Sequence, residues 1–158
     1  MMIVPVVCIG TSKARAVVTA AVAGSAVVIP TDWSPVHRAD GELVGWLAPD
    51  GAAGRVVPLL LTGAPLEAAL PVDDAAALLR RRGLAALDRR WWARLPERLP
   101  AGLTAAAEPH EDWSWQPVVL VESSPGGCTV RPEWPAPGET GRAVLPVPVG
   151  DLLREEPP

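Results

Sequence analysis

The hydrophobic pattern changes character along this chain, and each change marks an element. From Glu42 to Ala48 the positions alternate, with Leu43, Gly45 and Leu47 on one side and Val44 and Trp46 on the other. A period of two sends successive side chains to opposite faces, so this stretch predicts a strand. Pro49-Asp50-Gly51 then predicts a turn, because proline presets φ and glycine accepts positive φ. The Ala-Ala-Gly after it lengthens the loop. Arg55–Thr62 is apolar almost without interruption, the pattern of a strand covered on both faces. Pro58 cannot donate to a ladder and moves that strand to an edge or a bulge.

The period then lengthens. Asp73 suits a helix N-cap, and Asp74 suits the positive end beside it. The pattern predicts a helix over about Ala75–Arg82, with Gly83 stopping or kinking it. Leu84, Leu87, Trp91 and Leu95 follow at spacings of 3, 4 and 4, which predicts a second helical piece ending at Pro96. On such a helix Trp91 faces the core. Trp92, about 100° away, sits at the rim.

Elsewhere the signals are shorter. Thr31–Asp40 is polar and reads as a loop, as does the proline-punctuated stretch Glu97–Glu111. Pro117–Glu122 and Cys128–Arg131 read as a hairpin around Ser123-Ser124-Pro125-Gly126-Gly127. Arg142–Val149 reads as a final strand, put at an edge by Pro146 and Pro148. The expected architecture is α+β: a small, mostly antiparallel sheet of about five strands with one broken helix packed on it. One domain spans residues 31–150, and residues 151–158 form a frayed tail.

Residues 1–30 stand apart. Their apolar run AVVTAAVAGSAVVIP holds fifteen residues, short of the roughly 20 that a bilayer-spanning helix needs. Lys13 and Arg15 sit behind an apolar dozen, the reverse of a signal peptide's order. The segment predicts a buried strand or two, with Val27–Ile29 the better candidate. A signal or a misplaced start codon are the alternatives. The expectation is a cytoplasmic protein with no membrane span.

Composition changes this picture at three points. The chain has no Phe, Tyr or Asn, one Lys against thirteen Arg, and seven Trp. These are the marks of GC-rich codons, so the Arg, Ala and Pro excess carries no functional message by itself. Trp must supply all the aromatic bulk of the core. The net charge of −4 gives no global attraction for nucleic acid. Cys8 and Cys128 make no C-x-x-C or metal spacing; free, partly buried thiols in a reducing cytoplasm are the expectation, with a disulfide between them the alternative.

The stretches GELVGWLAPDG, VVPLLLTGAPL, RGLAAL and RRWW resemble small uncharacterised proteins of high-GC bacterial genomes, over residues 31–150. The resemblance rests on strand, turn and core residues. It implies a domain and carries over no catalytic residue.

The candidate chemistry is sparse. His110-Glu111-Asp112 is the one place where an imidazole meets carboxylates, which would suit a hydrolase-type enzyme. Neighbouring residues in a loop cannot all face one cleft, and with His37 the chain holds only two histidines. That excludes a histidine-rich zinc site, though not a carboxylate site for Mg or Ca. There is no G-x-S-x-G, and no glycine loop with a P-loop lysine. No cofactor is expected. Residues 80–98 gather seven basic side chains against Asp88 and Glu97, a local charge of +5 beside the Trp pair. Arg89, Arg90, Trp92 and Arg94 are therefore the candidate binding residues. Trp and Arg favour protein interface hot spots, so the reading is a non-catalytic protein-interaction module. The alternative is a nucleic-acid-binding accessory protein that uses the same Arg/Trp helix face.

Overall fold

A computed structural model describes residues 29–158. In chain order the elements are β1 (Ser34–His37), β2 (Leu43–Pro49), β3 (Arg55–Leu59), β4 (Leu70–Pro71) and α1 (Val72–Leu87). Then come β5 (Trp91–Leu95), β6 (Leu103–Ala105), β7 (Ser114–Ser124), β8 (Gly127–Pro132) and β9 (Arg142–Leu145). A 3-10 turn at Gly150–Leu152 leads into β10 (Leu153–Arg154). The α+β class holds, but the sheet content exceeds the expected five strands. The described residues form two sheets, one of four strands and one of six. The strands foreseen within residues 1–28 lie outside the described residues.

The first sheet has the order β1-β2-β3-β4, all antiparallel. β1 falls in the stretch expected to be a loop; its buried Val36 carries it into the sheet. α1 covers one face. Its buried positions Ala75, Leu79, Gly83 and Ala86 recur at helical spacing. Asp73 is not the cap: Pro71 holds that position without a side-chain bond, and both aspartates lie in the first turn. There they still favour the positive helix end. Gly83 does not stop the helix either. A Cβ at this position would lie 2.6 Å from the Val44 carbonyl oxygen, so glycine lets α1 approach β2 closely. Pro58 is tolerated because β4 pairs only with Arg55 and Val56, leaving no ladder for it to interrupt on that side.

The chain then does what its helical spacing did not suggest. α1 ends at Leu87, and Trp91–Leu95 is a strand inside the six-stranded sheet. Its burial alternates, with Trp91, Ala93 and Leu95 buried and Trp92 and Arg94 half-exposed. The order is β10-β5-β7-β8-β9-β6, antiparallel except for the β6–β9 pair. The β7–β8 hairpin forms where Ser124 to Gly127 turn the chain, as expected. β9 is not at an edge, since the short β6 pairs beyond it. Gly150–Arg154 are not frayed: Leu153 is buried opposite Ala93. One face of this sheet builds the larger core, where Trp91, Leu95, Val118, Val130 and Leu145 pack with Leu60 and Val147.

Candidate functional site

The sheet has a second face, and pairing defines it. Residues directly opposite on neighbouring strands share a face. Arg154 pairs with Trp92, Trp92 with Pro117, and Arg94 with Trp115. Val119 pairs with Arg131, Thr129 with Val144, and Leu103 with Arg142. Not one of these side chains is buried, whereas Ala93, Val118, Cys128, Val130, Ala143 and Leu153, neighbours of theirs along the strands, form the core. Beyond the strand end, the Glu133 amide donates to the Pro117 carbonyl, which extends the same side. The face therefore interleaves arginines with Trp92, Trp115 and aliphatic side chains.

Local contacts fix the arginines in different ways. Arg90 Nη2 donates to Glu133 Oε1 at 2.9 Å, and Nε lies 2.5 Å from Oε2 as an ion pair without a hydrogen bond. Its guanidinium lies 4.9 Å from the centre of the Trp134 ring. Arg94 donates to main-chain carbonyls alone, those of Trp113, His110 and Glu111 at 3.1–3.4 Å. Those bonds orient Arg94 without neutralising it. The Arg154 guanidinium sits 4.5 Å from the centre of the Trp115 ring, within range of a cation–π contact. Arg89 serves the frame: Nε caps the helix end at the Ala86 carbonyl, and Nη1 pairs with Glu155 at 2.6 Å.

The sequence placed Arg89, Arg90, Trp92 and Arg94 on one helix face, and the structure redistributes them. Arg80, Arg81 and Arg82 stay on α1, Arg89 and Arg90 stand in the turn, and Arg94 is on β5. The +5 segment is thus not one surface. Trp91 is core and Trp92 is not, as expected, but through strand alternation rather than helical rotation. Sequence reasoning missed Trp115, Arg131, Arg142 and Arg154. The alternation Trp113, Trp115, Pro117, Val119 was a visible signal for β7. Nothing local could bring Arg154 beside Trp92.

The acid–base candidates stay at the surface. His110 Nδ1 lies 3.2 Å from Asp112 Oδ2, with the side chains 68% and 88% exposed. His37 belongs to β1 in the other sheet. Among the described residues, no group of three or more His, Cys, Asp or Glu side chains is placed to hold a metal ion. A depression of about 190 Å³ lies between the end of α1 and β7, walled by Leu84, Leu87, Leu120 and Val121 together with Asp88, Glu122 and Ser123. It contains no imidazole or thiol. No helix among the described residues is long and apolar enough to cross a membrane. Burial pushes the Cys128 thiol up to about 12, so it is no nucleophile in the folded protein. Comparison of the chain with models of protein families, with curated proteins and with solved structures finds no match.

Proposed function

We propose that this chain is a non-catalytic protein-interaction module and that it binds through the open face of its six-stranded sheet. One observation carries the reading: that face interleaves arginines with Trp92 and Trp115, all in reach of solvent, above a fully packed core. Trp and Arg supply most of the energy at protein interfaces, because each combines large contact area with directional bonding. Among the described residues, three of the four exposed large apolar side chains, Leu103, Val121 and Trp134, belong to this sheet or to the loop after β8. Exposed apolar area rimmed by charge marks contact sites more often than it marks plain surface. In this proposal the module works in a reducing cytoplasm, in keeping with the buried free thiol of Cys128.

The test is comparative capture from a lysate of cells that make the protein. A Trp92→Ala/Trp115→Ala variant should lose partners that the parent retains. An Arg81→Glu/Arg82→Glu variant, altered on α1 instead, should retain them. Circular dichroism of all three proteins checks that folding is intact. Equal recovery by the sheet variant, with loss by the helix variant, would move the site to α1 and overturn the proposal.

A further inference from the structure

The charge on the open face is unlike that of the molecule. Arg94, Arg131, Arg142 and Arg154 stand on it against Glu122, while Arg90 and Glu133 beyond the strand ends pair with each other, an excess of three positive charges in a chain of net charge −4. Among the described residues, no carboxylate lies within ion-pair distance of Arg94, Arg131, Arg142 or Arg154. We infer that the partner is an acidic, extended segment of protein laid across this face, with carboxylates and apolar side chains in turn along the side that it presents. The inference rests on the interaction reading above and names the partner's chemistry.

Three observations narrow the choice. The first is the arrangement of charge: Arg154 faces Trp92, Arg94 faces Trp115 and Arg131 faces Val119, so each cation has an apolar neighbour across the ladder. An extended chain repeats its same-side positions about every 7 Å, the repeat between Trp92 and Arg94 on β5. A segment whose same-side positions, every second residue, are acid and apolar in turn matches that checkerboard.

The second concerns the mode of docking. The sheet edges are β10 and β6, two and three residues long. A partner adding a strand there would gain few ladder bonds, whereas the face offers its full width.

The third separates protein from nucleic acid. A base stacks on an open aromatic face. Arg154 already lies over Trp115, and Arg90 over Trp134. Arg90 is also held in an ion pair by Glu133. The acidic total repels a long polyanion before it reaches the face. A short acidic segment needs only the few cations left unpaired.

The experiment uses labelled probes and the full chain, read by fluorescence anisotropy. The probes are a short peptide with glutamate and leucine in turn at every second residue and serine between them, the same peptide with glutamine for glutamate, and single-stranded oligothymidine. The Glu/Leu peptide should bind, and the Gln/Leu peptide should bind at least about tenfold more weakly. Arg131→Glu/Arg154→Glu, both at exposed positions, should cost about tenfold for the Glu/Leu peptide. Arg81→Glu/Arg82→Glu should bind as the parent does. Equal binding of both peptides would show that charge is not read, and would overturn the inference. Tighter binding of oligothymidine, with affinity falling steeply in log salt, would overturn it in favour of nucleic acid. If no probe binds while cellular capture still depends on Trp92 and Trp115, the acidic partner is wrong and the module reading stands. If capture is also insensitive to those residues, both fall.

Discussion

Trp91 and Trp92 are neighbours in sequence and lie on opposite sides of one strand. Trp91 is 1% exposed, and its indole nitrogen donates to the Leu87 carbonyl at 3.2 Å. The bond ties β5 to the end of α1, while the ring fills the core beside Leu95 and Val118. Trp92 faces Arg154 and Pro117 and keeps contact with solvent. The same kind of side chain thus holds the fold together on one face and stays half-exposed on the other. The four-stranded sheet makes the contrast sharper. α1 closes one of its faces, and on the other Trp46 and Leu59 are buried. Among the described residues, only the six-stranded sheet leaves a face open.

The largest expected effect is chemical and belongs to the closed face. Cys128 is fully buried, and desolvation disfavours its thiolate, raising the pKa from an ordinary 9.0 to about 12. That cuts the thiolate fraction at neutral pH by roughly a thousandfold. In a Cys8→Ser background, Cys128 should resist alkylation in the native state and react fully in denaturant. The sign for stability follows: the unfolded chain ionises first as pH rises above 9.0, so stability falls between there and about 12. Rapid native alkylation would mean that the closed face opens.

Next in size is Trp91→Ala. Removing a large buried aromatic should destabilise by about 3–5 kcal/mol. Denaturant melts compared with Trp92→Ala make the contrast quantitative. The latter loses only cross-strand contacts, and about 1 kcal/mol or less is expected. Equal losses would show that the two faces are not distinct.

Gly83→Ala tests the other closed layer, with an intermediate effect. In an exposed helix this change stabilises by about 1 kcal/mol. Here the added Cβ would meet the Val44 carbonyl oxygen at 2.6 Å, backbone that cannot swing aside. The expected result is destabilisation by about 1–3 kcal/mol, the range for overpacking. Arg82→Ala, its exposed neighbour, should change stability by about 0.5 kcal/mol or less. A stabilised Gly83→Ala protein would mean that α1 stands off β2.

These contrasts also show what was legible beforehand. β2, β3 and the β7–β8 hairpin were readable because alternation and turn residues act locally. Trp91–Leu95 was not, because its sequence satisfies two periods at once. Trp91 and Leu95 are four apart, as on a helix, and Trp91, Ala93 and Leu95 alternate, as on a strand. Ala93 decides between them, and a lone alanine is a weak apolar signal until its burial is known. The Arg/Trp pairing of the candidate site was half legible: Trp92 and Arg94 were named, on the wrong element. Its other half comes from β7, β8, β9 and β10, which no local pattern brings together.

The smallest effect concerns the loops below the sheet. The Leu99 amide donates to Glu139 Oε1 at 2.6 Å, and the Ala136 amide donates to Oε2 at 2.8 Å. One carboxylate thereby ties the chain after β5 to the loop before β9. The Leu99 amide and then the Ala136 amide hold its pKa below the ordinary 4.5; partial burial opposes them, and the Arg98 charge assists slightly. A depressed folded value means that the stabilisation is complete above 4.5 and is lost as pH falls through the folded value. Glu139→Gln keeps one acceptor and loses the charge. The parent should therefore melt slightly higher than the variant at neutral pH, by less than the Trp92→Ala shift. The gap should close on acidification below 4.5. Parallel thermal melts across that window read it directly. A gap that persists at low pH would assign the loss to shape rather than charge. A gap as large as that of Trp91→Ala would show that these loops belong to the core rather than to its border.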